Sequence, residues 1–195
     1  SGQSGYKIPP TVEAPPRRET CAGAVRPATC RPVHPMGHPR KSADQWFAEY
    51  GESHQDDTNE TIHWICVPII FICVMGLVWS LPVPAAIATH APWFNWLHLL
   101  LLPALAFYFR LSVPLAFGLL AFISAGYCLI EALAHFSPIA VWKVCLAAFV
   151  LAWIGQFIGH KIEGKKPSFF TDVVFLLIGP AWLMHFIYKK LDIAY

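Results

Sequence analysis

Five long apolar runs, residues 64–81, 93–109, 111–130, 138–159 and 169–188, occupy most of this 195-residue chain after residue 60. Between Thr61 and Gly159 only Arg110, Glu131 and Lys143 carry charge. Each run is close to the ~20 residues a helix needs to cross the hydrocarbon core, where backbone polar groups must be satisfied within the segment. With 56% hydrophobic and 13% charged residues the chain falls outside the balance of a soluble domain, so the bilayer is its expected solvent. The expected fold is all-α: a polytopic membrane helical bundle of about five transmembrane or re-entrant helices, with a short N-terminal interfacial helix.

Residues 1–41 differ in kind. They hold eight of the seventeen prolines and seven of the fourteen Lys and Arg, with almost no apolar periodicity, and so cannot bury enough surface to offset ordering entropy. A disordered, basic, Pro-rich tail is expected here; it lacks the apolar stretch of a signal peptide, and "SGQSG" at its start is read as an appended or processed terminus. Ser42 offers an N-cap for the amphipathic "ADQWFAEYGE", and residues 42–195 form the expected membrane-embedded domain. Asp57 and Glu60 resemble a capping box opening the first span. The six cysteines form no CxxC pair, and four lie inside apolar runs as small core residues. Basic residues sit in the tail and at segment ends, not in an aromatic-interleaved patch, so no nucleic-acid partner is expected.

If every run crosses once, the basic tail, Arg110 and the cluster Lys161, Lys165, Lys166 fall on one side, which the positive-inside tendency makes cytoplasmic. Lys189 and Lys190 then fall on the far side, a conflict that a re-entrant fifth segment near Gly179 and Pro180 would remove. On the basic side lie His54 in the loop, His63 one turn into the first span and His160 at the end of the fourth. Neutral imidazole is the commonest transition-metal ligand, and ionisable groups at a membrane boundary are costly unless paired or functional. Gln156, His160 and Glu163 share one helical face at i, i+4 and i+7. Glu163 can ligate directly or accept the ring N–H of a ligating histidine, and Gln156 can bond substrate. His90, His98, His135 and His185 read as interfacial or capping histidines, and Gly155 with Gly159 forms a GxxxG packing step.

Two stretches, "AEYGESHQDDTNETIHWICVP" (residues 48–68) and "WIGQFIGHKIEGKKPSFF" (residues 153–170), closely resemble the signature blocks of the membrane 2-hydroxy fatty acid dioxygenase family. That family is typified by a yeast endoplasmic-reticulum protein of phytosphingosine breakdown. The resemblance runs from residue 43 to about 188 and leaves the tail outside. It implies an Fe(II)-dependent enzyme that uses dioxygen to shorten a 2-hydroxy fatty acid by one carbon. By position, His54, His63 and His160 match the family's histidines and Glu163 its acidic residue. His135 is the sequence match for a fourth histidine, yet the topology puts it a full span, ~30 Å, from His160. The implied substrate chain lies between spans, with Lys161, Lys165 or Arg110 available to pair with its carboxylate. A bacterial inner membrane and an endoplasmic reticulum both satisfy the charge pattern.

Two other readings share these features. A non-enzymatic multi-pass protein, such as a small transporter or assembly factor with structural histidines, would hold no metal. A bis-histidine haem protein would show a Soret band. Di-iron desaturases are set aside because the apolar segments lack HxxxH and HxxHH clusters.

Overall fold

The computed structural model describes residues 41–166 and 174–195. The expected disordered tail therefore lies, Lys41 apart, outside the described residues, as does the expected start of the fifth run at residues 169–173. Among the described residues there are seven α-helices and no strand.

Side-chain caps fix most of the helix starts. Helix α1 (Ala43–Gly51) opens with Ser42, whose Oγ accepts the N–H of Gln45 at 3.2 Å while the Gln45 side chain accepts the Ser42 N–H at 2.8 Å. Helix α2 (Asp57–Trp79) is capped by Asp56, not by the expected Asp57: the Asp56 carboxylate accepts the N–H of Thr58 at 2.9 Å and of Asn59 at 3.2 Å. After the single turn α3 (Ala85–Ala88), Asn95 caps α4 (Trp96–Leu111) and donates from Nδ2 to the Trp79 carbonyl at 2.9 Å, stitching α4 to the end of α2. Ser112, extended at φ −166°, ends α4 and caps α5 (Val113–Phe136). Helix α6 (Val141–Glu163) stops at Gly164, whose φ of 74° suits a residue without Cβ. Helix α7 (Phe175–Lys190) follows.

Among the described residues three helices, α2, α5 and α6, are long and apolar enough to cross a membrane. Their outward surface is apolar: Phe117, Leu129, Leu151 and Ile154 are exposed, as Leu102 is on α4, a pattern a soluble monomer avoids and a lipid-facing one requires. With 16 residues, α4 and α7 each reach only ~24 Å, short of the ~30 Å core.

The α2–α6 pair is the main helix interface, antiparallel and built on small residues. A Cβ on Gly159 would strike Asn59 Oδ1, and one on Gly155 would lie 2.9 Å from Cys66 Sγ, so the GxxxG step is a place of close backbone approach. Further along, Gly76 meets Cys145. This pairing brings the start of α2 and the end of α6 to one end of the bundle.

Helix α7 packs across that same end. Its Tyr188 hydroxyl donates to the Pro114 carbonyl at 2.7 Å, Leu177 O accepts from Tyr108 Oη at 3.0 Å, and its middle packs on α1 through Tyr50 and Trp182, 5.3 Å between ring centroids. Pro180 lies within a continuous helix. Among the described residues the segment is thus a 16-residue helix that is not broken at Gly179–Pro180, and Lys189 and Lys190 fall beside the start of α5, at the end that also carries Arg110 and Lys161. Helix α1 is likewise more than interfacial: Phe47 and Tyr50 are buried against α7.

Candidate metal centre

Three imidazoles meet where α1, α2 and α6 converge. His54 follows α1; its Nδ1 donates to the Tyr50 carbonyl one turn back at 2.7 Å, and its ring stacks on the Tyr50 ring at 4.3 Å and 17°. His63, 1% exposed within α2, donates from Nδ1 to the Asn59 carbonyl at 2.9 Å. His160 stands in the last turn of α6, also buried. Ring centroids are 4.2 Å apart for His54 and His63, 4.8 Å for His63 and His160, and 5.1 Å for His54 and His160.

The two carbonyl bonds fix tautomers. A proton on Nδ1 of His54 and of His63 leaves the Nε2 lone pair of each for a ligand. His54 Nε2 and His160 Nδ1 are buried with no hydrogen-bond partner, a costly state that an ion would relieve. One nitrogen from each ring lies within 4.8 Å of the others, against the ~3.4 Å between two nitrogens each ~2.1 Å from one tetrahedral ion, a gap that small rotations of the rings would close. Burial and the neighbouring His63 pull the His54 pKa down to about 3, so this ring is neutral at physiological pH and its lone pair is available.

Asn59 and Tyr50 organise the cluster, and neither is conspicuous as chemistry in the sequence. Each lies four residues before the histidine it holds, the spacing of one helical turn. Asn59 is wholly buried; its Nδ2 also donates to the Ser53 carbonyl at 3.1 Å and to Glu163 Oε2 at 3.3 Å.

Glu163 is not part of the three-histidine group. Its carboxylate instead accepts the backbone N–H of Gln55 at 3.0 Å and of Asp56 at 2.8 Å, clasping the His54 loop to the end of α6. Gln156 is buried one turn before His160 and faces the same cavity. Lys161, Lys165 and Arg110 are exposed and do not line that cavity; Lys165 Nζ donates to the Glu52 carbonyl. His135 is exposed at the far end of α5. There Trp79 donates to Glu131 Oε1 at 3.0 Å, which sets the last turns of α5 beside the end of α2, ~24 Å along the axis from His63. His135 is therefore separate from the cluster. His185 is buried beside Phe47 and bonded to the Tyr195 hydroxyl, and so is a packed residue of α7 rather than an interfacial one.

The triad opens on a cavity of about 340 Å³, within the range of small-molecule sites. Apart from the histidines, Gln156 and Tyr50, its walls are apolar side chains of α2, α4, α6 and α7.

The architecture defines an all-α membrane bundle with a buried histidine triad able to hold a metal ion. The chain belongs to the Mpo1-like family: residues 40–191 match the family model described as 2-hydroxy-palmitic acid dioxygenase Mpo1-like. Both stretches that carried the resemblance lie within the match. Comparison with curated proteins and with solved structures gives no significant match.

Proposed function

We propose that this chain is an Fe(II)-dependent dioxygenase that shortens 2-hydroxy fatty acids by one carbon at the membrane–cytosol boundary, its basic end and site facing the cytoplasm. One observation carries the reading: a buried triad of imidazoles whose nitrogens converge at one end of an otherwise apolar cavity. The residues fit iron. Three neutral nitrogen donors suit a divalent first-row ion and leave coordination positions open.

Iron held by His54, His63 and His160 would supply a redox-active centre with room for dioxygen and for the carboxylate and hydroxyl of a 2-hydroxy acid. The protein's own groups set the conditions. The Tyr50 and Asn59 carbonyls hold two rings in the ligating tautomer. The Gln156 amide can bond the substrate hydroxyl or carboxylate, and the apolar walls keep bulk water from the reacting end. Lys161, Lys165 and Arg110, exposed at the same end of the bundle but outside the cavity wall, attract the carboxylate towards that end. Glu163 acts on geometry, through the loop that carries His54.

Metal analysis and oxygen uptake of detergent-purified protein test this. The expected result is bound iron, O2 consumption with 2-hydroxyhexadecanoic acid, a product one carbon shorter, and loss of iron and turnover in His63→Ala. Retention of both in His63→Ala, or a Soret band in the purified protein, would overturn it.

A further inference from the structure

The cavity is longer than a metal centre needs. Its wall on α2 is a single stripe, His63, Val67, Ile70, Phe71, Val74 and Met75, at offsets that keep one helical face. From His63 to Met75 the stripe rises ~18 Å. A chain of ~1.5 Å bonds at ~111° advances about 1.25 Å per bond, so the stripe accommodates roughly fourteen carbon–carbon bonds. Polarity is confined to the triad end.

The two sides of this slot differ. Towards the bundle it is sealed by Met75, 2% exposed, and by Ala104, 7% exposed. On its outer edge the lining residues Leu100 and Leu176 are 41% and 38% exposed, and Pro103 is exposed as well, on a surface that faces lipid. The triad lies about two turns, ~9 Å, inside the start of α2, at the end of the bundle marked by Arg110 and Lys161. A fatty acid resting in that leaflet already holds its carboxylate near this depth and its chain along the bilayer normal, parallel to α2.

We propose, resting on the function proposed above, that the substrate's alkyl chain occupies this slot alone and enters it sideways from the leaflet, past Leu100, Pro103 and Leu176, without passing through water. The tail then lies on Val67, Ile70, Phe71 and Val74, and its methyl end reaches Met75 and Leu101.

The test uses the full chain in phosphatidylcholine vesicles and a 2-hydroxyhexadecanoic acid carrying a diazirine near its methyl end. Photolysis and peptide mapping should place adducts on α2 between Ile70 and Met75 or on α4 between Leu100 and Ala104, and excess unlabelled acid should suppress them. Leu100→Trp should cut the labelling at least fivefold, whereas Leu151→Trp, on the lipid face of α6 outside the slot, should leave it unchanged. Leu176→Trp repeats the test if Leu100→Trp does not fold. Adducts on Leu151 or Phe117 that excess acid does not suppress, or full labelling in both portal variants, would overturn the slot. Labelling needs no turnover, so labelled but inactive protein would count against the dioxygenase reading alone, and turnover without slot adducts against the slot alone.

Discussion

The Glu163 carboxylate accepts the backbone N–H of Asp56 at 2.8 Å, joining positions 107 residues apart. Through this contact, and the one to Gln55, the end of α6 holds the loop that carries His54 against the start of α2. Hydrogen bonds to an ionised acceptor contribute about 1.5–3 kcal/mol when well placed, and partial exposure of Glu163 puts this clasp towards the lower figure. Glu163→Ala should therefore lower stability by about 2 kcal/mol and weaken iron retention, because the loop gains freedom. Glu163→Gln should fall between, since one amide oxygen still accepts while its NH2 meets donors. Thermal melts and metal content of the two variants check this; iron loss without any change in melting would instead favour direct ligation by Glu163.

Gly159 faces Asn59 so closely that an added Cβ would strike Oδ1, and Asn59 in turn holds His63 through its carbonyl. Gly159→Ala should force α2 and α6 apart beside the triad, costing about 1–3 kcal/mol as overpacking does, and should lower iron content with it. Gly164→Ala provides the contrast. Its added methyl meets nothing within 4 Å, but φ of 74° is unfavourable for alanine by about 1 kcal/mol. The melting temperature should fall in both variants, and iron only in Gly159→Ala.

These two cases mark what could be read from the chain and what could not. The spans α2, α5 and α6 were legible because uncharged runs of this length have one economical fate in lipid, and Gly155 with Gly159 announced a close crossing. The encounter of His54, His63 and His160 follows from antiparallel pairing of two spans, which hydropathy reveals. Glu163 was visible as an acid near histidines, but its partners are backbone amides, which every residue has and no sequence pattern marks. The shift of the cap from Asp57 to Asp56 is the same problem at a scale of one residue. Helix α7 looked like a fifth span because its apolar side chains are buried against protein, and hydropathy does not distinguish burial in protein from contact with lipid. Once α7 lies across the site end, Lys189 and Lys190 no longer contradict the placement of the other basic residues.

Tyr50 supports His54 twice, by its carbonyl and by its stacked ring. The carbonyl survives any substitution, so the ring can be tested alone. An aromatic pair contributes about 0.5–1.5 kcal/mol beyond area burial, which corresponds to up to roughly tenfold in the affinity of a site it orients. Tyr50→Leu should weaken Fe(II) binding by three- to tenfold, read by competition with a chromophoric chelator, whereas Tyr50→Phe should bind as the parent does. Equal weakening in both would assign the effect to the hydroxyl instead.

Metal removal should be visible as lost stability, since the unpartnered His54 Nε2 and His160 Nδ1 leave the metal-free fold with an unrelieved desolvation cost. A ligand at a hundred times its Kd that binds only the folded state stabilises it by about 2.7 kcal/mol, equivalent to roughly 5–10 °C in a chain of this size. Treating the purified protein with a membrane-compatible chelator should lower its melting temperature by that amount, and anaerobic addition of Fe(II) should restore it. His160→Ala should melt at the same temperature with and without chelator, because one of the three nitrogens is gone. His135→Ala should keep the full chelator response, as expected of an exposed residue at the end of α5, beside Trp79, which lies ~24 Å from His63 along α2. A chelator response that disappears in His135→Ala and persists in His160→Ala would move the metal away from the triad.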